Sequence, residues 1–512
     1  MMLSRCLVLV LTVTAHASAA VALAAPFTDH AVLQRDQPVP VWGTDTPGTP
    51  VTVTIHGLQA KAVVGTDGRW QATLPPLPVG GPYELSVSGT STVVRRDILV
   101  GEVWLCSGQS NMDFFTRRSS TAAADLPRSA NPRIRLLNLS PRKQGAETPQ
   151  DTFDATWTTS TPATVGLFSG VGYYFGRELE EALQVPIGLI NASWSGTAAE
   201  TWISQPTLDA DPEFKKAMKA WEKDLALYPQ RMEDYRSTAL VRWEQDNAAA
   251  KAAGKPEIRK PKEPTGPTSF DRRPGGLFNG MIAPLTPYAL RGVIWYQGEA
   301  NARFADQAMA YRRLLPLLIA DWRRAFASDV RFHIVQLANF GHDDPALLTQ
   351  PWPVVPWPIL RESQALVAAT LPHCGLAVTI DIGNPDDIHP ANKREVGRRL
   401  ALSALGRDYG KDLVYSGPVF KAMVVSDQAA TLTFDHAEGL AAKEGPVRGL
   451  VIAGEDGRFL PAEATVTNGT IRVSHPAIPS PVAVRYNWES SPDGNLVNGA
   501  GLPAAPFRWP MR

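Results

Sequence analysis

Ser110 follows an apolar run, 98–106, that stops abruptly at Ser107-Gly108. A hydroxyl held at a sharp turn beyond a strand end is open to a base, and the glycine permits backbone angles that other residues resist. Downstream, Gly196 stands in Trp194-Ser195-Gly196-Thr197, and Gln297 in Tyr296-Gln297-Gly298-Glu299. One short loop holds Asp386, Asp387 and His389. Acyl transfer by serine needs a nucleophile, a base to take its proton, a carboxylate to orient that base, and donors for the oxyanion. Ser110 would be the nucleophile and His389 the base. The donors would be the backbone N–H groups of Ser110 and Gly196 and the amide of Gln297. Taken singly, each residue has an ordinary reading: a surface turn, a loop histidine before proline, a turn glycine, a polar cap on a strand. Their appearance in order at successive strand ends is what points to a site.

Such residues must be carried by strands. Apolar runs at 98–106, 187–191, 290–296, 332–336 and 375–380 read as strands, and 168–183, 307–326 and 392–400 read as helices. Pro316 is expected to kink the second of these helices. Parallel strands joined by crossover helices predict a doubly wound α/β core, with ligands beyond the carboxyl ends of the strands. On either side of this 98–410 domain the pattern changes. Residues 26–97 alternate short β-like runs with Pro-Gly, Asp-Gly and Gly-Gly turns, which predicts a small β-sandwich, and 411–512 return to β-rich runs. Residues 206–265 are rich in Lys, Glu and Ala, and predict a solvated helix pair inserted at the surface.

The chain has 512 residues, more than one core usually serves, so several domains are expected. Its 50 basic and 50 acidic residues balance, and no basic stripe argues for nucleic acid. Residues 1–25 read as a secretory signal, with Arg5, an apolar stretch at 6–13 and small residues at 17–25. No later run could span a bilayer without charges, so a secreted or periplasmic protein is expected, with no membrane insertion after signal removal. Cys106 and Cys374 lie in apolar runs and are expected as buried free thiols rather than a disulfide. No His/Asp/Glu cluster has metal-ligand spacing, and serine chemistry calls for no cofactor.

Four motifs together, Ser107-Gly108-Gln109-Ser110-Asn111-Met112, Trp194-Ser195-Gly196-Thr197, Trp295-Tyr296-Gln297-Gly298-Glu299-Ala300-Asn301 and Asp387-Ile388-His389-Pro390, resemble the sialate O-acetylesterase family, a branch of the SGNH hydrolases. The resemblance extends over most of 27–410 in the same order, including Val32-Leu33-Gln34-Arg35. It implies an SGNH-type sheet flanked by two β-rich modules, and an esterase that removes O-acetyl groups from carbohydrates through an acetyl-enzyme. Ser110 matches the family nucleophile, Gly196 an oxyanion donor and His389 the final histidine. Gln297 stands where most of the superfamily has asparagine. The wider superfamily places its acid three residues before the histidine, which selects Asp386, whereas closer relatives place it two before, which selects Asp387. The sequence has both, and the motif leaves both open, the neighbour being free to cap the helix after Pro390. Sialic acid is the family-name substrate, with acetylated xylan or xyloglucan as alternatives. A carbohydrate-binding protein that kept the scaffold without catalysis is the reading from another class.

Overall fold

The structure, a computed structural model, describes residues 20–139, 144–264, 266, 270–351 and 354–510. Most of the expected signal segment lies outside them. The centre is a sheet of six parallel strands, which we number β1 (Thr92–Gly108), β2 (Asn131–Asn138), β3 (Ile187–Ser193), β4 (Gly292–Tyr296), β5 (Arg331–Val335) and β6 (Cys374–Ala377). Their spatial order is β2-β3-β1-β4-β5-β6, with Trp157–Ser160 antiparallel on the β2 edge. The chain leaves β1 for β2 on one side of the sheet and leaves the adjacent β4 for β5 on the other, so the carboxyl end of β1 is the switch point where such sheets bind ligands. Every residue of β3 and β4 is buried, as is β1 from Ile98 onward, because helices cover both faces.

Four helices carry the sheet: α1 (Gly170–Leu183), α2 (Ala305–Ala325), α3 (Pro356–Thr370) and α4 (Lys393–Asp408). Ser169 caps α1 by accepting from the Gly172 N–H at 3.0 Å, and Gln184, at φ 56°, ends it in the left-handed region. α2 runs on through Pro316. At Gly397, α4 comes so close to α1 that a Cβ would stand 2.7 Å from the Phe175 nitrogen. That approach presses one face of α4, including Lys393 a turn earlier, into the interior.

β1 is 17 residues long and crosses the expected division at 97/98 without a break. Its first half pairs with Gly80–Ser88 in the N-terminal module, and its second half lies between β3 and β4. The module and the parallel sheet therefore share a strand and one continuous apolar core. The C-terminal module has its own core between two four-stranded antiparallel sheets.

Residues 206–265 depart from the expected helix pair. Lys215–Asp234, a π-helical turn Tyr235–Leu240 and Val241–Ala252 form one uninterrupted helical run. No glycine intervenes until Gly254, and the extended segment after it folds back on the helix. There Trp243 donates from its indole to the Ile258 carbonyl at 2.8 Å, and Asn247 accepts from the Ile258 N–H at 2.9 Å. Cys106 and Cys374 are both buried and free.

Candidate active site

Register brings the motifs together. Gly108, the last residue of β1, is paired with Ser193 on β3 and Tyr296 on β4, so three strands end in one row. Gly108 has φ 134°, and a Cβ there would lie 2.1 Å from the Tyr296 carbonyl oxygen. Only glycine lets the chain hug its neighbour before it turns. The Gln109 N–H then donates to that carbonyl at 2.9 Å, and the chain enters a single helical turn, Ser110–Asp113. The Gln109 side chain accepts from the Ala300 N–H at 3.2 Å, which fixes the turn to the loop after β4.

Ser110, Gly196 and His389 line one cleft of about 570 Å³ beyond these strand ends. Exposed Arg272 and Arg303 border it, with Glu200 and Asp271 opposite in charge. The Ser110 hydroxyl and the imidazole nitrogens of His389 form no hydrogen bond with the described residues, and such contacts commonly tighten only with substrate bound. Gly196, at φ 76°, has open space around it.

The three nearby acids differ in what they touch. Asp387 accepts from the His389 N–H at 2.9 Å, and the same carboxylate oxygen lies 3.9 Å from His389 Nδ1, outside hydrogen-bond range. Asp386 turns to solvent and meets His342 Nε2 at 3.0 Å instead. Asp381 is engaged in a two-pronged pair with Arg399. Neither Asp386 nor Asp387 caps α4, because Asn392 does so, accepting from the Glu395 N–H at 3.3 Å.

Gln297 sits outside the cleft lining and is fully buried. Its amide nitrogen donates to Asn301 Oδ1 at 2.7 Å, with the Thr197 carbonyl and Gln109 Oε1 each at 3.2 Å. Its carbonyl accepts from the Tyr311 hydroxyl at 2.8 Å. In this arrangement its hydrogens are spent on joining the three loops rather than aimed at a substrate.

Three residues that the sequence reading did not single out lie directly under the serine turn. Asn111 donates to Glu299 Oε1 at 2.6 Å and to the Ile388 carbonyl at 2.9 Å, and accepts from Lys393 Nζ at 2.5 Å. Burial pushes the Lys393 ammonium down to about 7, against the attraction of Glu299 and Asp387. Burial likewise raises the Glu299 carboxyl, opposed by the Asn111 hydrogen bond and the Lys393 charge. Asn111 and Glu299 stand inside the motifs quoted above, which was the available signal. Lys393 gave none, since a lysine at a helix start ordinarily faces water.

The family described as carbohydrate esterase, sialic acid-specific acetylesterase, matches residues 100–241 and 268–405, more than half of the chain. The chain belongs to this family. Sialate O-acetylesterase of Mus musculus is 29% identical over 91% of this esterase and 88% of its own length, and that of Homo sapiens is 28% identical over the same shares. A solved carbohydrate acetylesterase from Xanthomonas citri is 36% identical, covers 96% of this chain and 100% of its own, and superposes with a TM-score of 0.80. The esterase is thus a hydrolase of the α/β class expected, carrying two β-rich modules. Among the described residues, no helix is long and apolar enough to cross a membrane.

Proposed function

We propose that this esterase removes O-acetyl groups from a glycan, with Ser110 as nucleophile, His389 as base and Asp387 as the orienting carboxylate. The observation that carries the reading is that Ser110 and His389, far apart in sequence, line one cleft at the switch point of the sheet. His389 takes the Ser110 proton as the oxygen bonds to the acetyl carbon, and the backbone N–H groups of Ser110 and Gly196 steady the oxyanion. The imidazolium gives that proton to the departing sugar oxygen. The neutral imidazole then deprotonates water, which adds to the acetyl-enzyme, and acetate leaves as the imidazolium returns a proton to Ser110. Asp387 is the better candidate acid because Asp386 is turned to His342 and Asp381 to Arg399. Acetate release from acetylated sialosides, xylans and xyloglucans, compared with Ser110→Ala, tests this. An active Ser110→Ala enzyme would sink it.

An acetylated sialoside is the favoured substrate class. A sialic acid carries a carboxylate, and exposed Arg272 and Arg303 border the cleft. Replacing both by alanine is expected to raise KM for an acetylated sialoside and leave aryl acetate hydrolysis unchanged. An acetylated neutral glycan is the second reading, since the similar Xanthomonas citri protein is named for carbohydrate in general and not for sialic acid. Equal effects on sialoside and xylan would favour it.

The esterase is proposed to be exported. Val21 is buried and Ala22–Leu23 pairs with Gly43–Thr44, so signal cleavage at residue 25 would cut into the first sheet. Cleavage after Ala17-Ser18-Ala19 is compatible with both the small-residue rule and the fold. N-terminal sequencing of exported protein is expected to begin at Ala20 or Val21. A start beyond Leu23 would contradict this.

A further inference from the structure

Beneath the catalytic cleft, one amide touches both halves of the proposed machinery. Asn111 is the residue after Ser110, and the carbonyl it grips belongs to Ile388, the residue before His389. The amide is 2% exposed, so water cannot substitute for its partners. Its orientation is dictated by the Ile388 carbonyl, which can only accept and so must face Nδ2, leaving Oδ1 to accept from Lys393 Nζ. Glu299 Oε1 holds the second N–H at 2.6 Å. The ammonium is further enclosed by the Phe114 and Tyr296 rings, at 4.8 and 5.4 Å. We propose that Asn111 is a positioning residue, an amide locked between Lys393 and Glu299 that fixes the spacing of the Ser110 turn and the His389 loop.

The proposal rests on the assignment of Ser110 and His389 above, and extends it to residues that touch no substrate. It answers a question the loop raises. The side chains of Asp386, Asp387 and His389 are 84%, 59% and 37% exposed, so packing alone does little to hold the loop. A tether from the rigid end of β1 supplies what packing does not. Misplacement of reacting groups by about 1 Å commonly costs on the order of 100-fold in rate.

The charges that face His389 make the test specific. They are Lys393 on α4, Asp387 in its own loop and Arg118 on the short helix Thr116–Arg118. Glu299, from the loop after β4, faces Lys393. Lys393 and Arg118 both disfavour the imidazolium, so Lys393→Met should move the acid limb of kcat/KM to higher pH, which a purely structural lysine would not do. Asn111→Ala is expected to lower kcat on an aryl acetate by roughly 100-fold with KM little changed. Thermal melting of each variant checks that it is folded at the assay temperature. Should Asn111→Ala fail to fold, Lys393→Met, which keeps the length of the buried stem, carries the same two readouts. Ser110→Ala is run alongside. If it is inactive while Asn111→Ala and Lys393→Met both keep kcat within about threefold with the acid limb unmoved, the tether is wrong and the nucleophile right. If Ser110→Ala stays active, the assignment beneath the proposal falls with it.

Discussion

Burial comes first among the influences that hold the His389 imidazole below its ordinary pKa of 6.5, followed by the charge of Lys393, with Asp387 acting the other way. As the proposed base, it must be neutral to accept the Ser110 proton. The acid limb of activity should therefore lie on the acid side of that for an ordinary imidazole. Asp387→Asn removes the one influence that raises it, so the acid limb should move lower still, opposite to Lys393→Met. Among single residues the sharpest contrast is between the two neighbouring acids. Asp387→Asn should cost roughly 10²–10⁴-fold in kcat, the upper end being the loss seen when a triad aspartate becomes asparagine. Asp386→Asn should cost little, because that carboxylate meets His342 on the exposed side of the loop. Equal small losses in kcat measurements would mean that the imidazole is oriented by neither.

At the scale of elements, the loops beyond β1, β3 and β4 behave as one piece because buried side chains cross between them. Gln297 joins all three, through Gln109, Thr197 and Asn301. Asn301 continues the web, accepting from the Ala199 N–H at 3.0 Å. An oxyanion donor alone would show as a loss of about 2.7–4 kcal/mol in kcat with stability untouched. A buried joint leaves acceptors unpaired when removed, at about 1–3 kcal/mol for each. Gln297→Ala is therefore expected to lower kcat and the melting temperature together. A fall in kcat with an unchanged melting curve would return Gln297 to the cleft as a donor in the working state.

For the whole molecule, the question is how three modules hold one cleft. On the N-terminal side the link is Glu102, fully buried in the middle of β1. Burial raises its pKa, but hydrogen bonds and charge from Arg291, with Arg35 and Gln34, bring it below the ordinary value. Arg35 donates to it at 2.6 Å from the module, and Arg291 at 2.8 Å from the strand entry to β4. Glu102→Gln leaves two guanidiniums short of their charge partner, and should cost about 3–5 kcal/mol in denaturant unfolding. On the C-terminal side the link is Arg361 of α3, completely buried. It donates to the Leu337 and Ala338 carbonyls at 2.8 Å and to those of Glu489 and Ser490 at 2.7 Å. The loop it grips carries Asn339 and Gly341, which bond Gly383 and Pro385 just before the acid–histidine residues. Arg361→Met is expected to lower both the melting temperature and kcat/KM. Normal kcat/KM in a destabilised variant would show that the C-terminal module stabilises the fold without bearing on the cleft.

The sequence by itself determined the strands whose side chains are buried on both faces, since an unbroken apolar run has few other uses. It also placed Ser110, Gly196 and Gln297 at strand ends and His389 in a loop beside two acids, a combination that stands out although no one of these residues does alone. Asn131–Asn138 and Trp157–Ser160 escaped, the first opening on Asn-Pro-Arg and carrying a buried Arg135, the second only four residues at an edge. α3 escaped because it begins Pro-Trp-Pro, which reads as a turn although proline suits a first helical turn, and because Arg361 and Glu362 are buried where periodicity expects apolar residues. Only tertiary structure shows that Asp386 meets His342 while Asp387 meets the His389 N–H, since that depends on where adjacent side chains project. The same holds for Gln297 and Lys393. A sequence fixes which residues share a helix face or a strand end, but whether that face meets water or another helix is decided by packing at Gly397 and by the register of three strands.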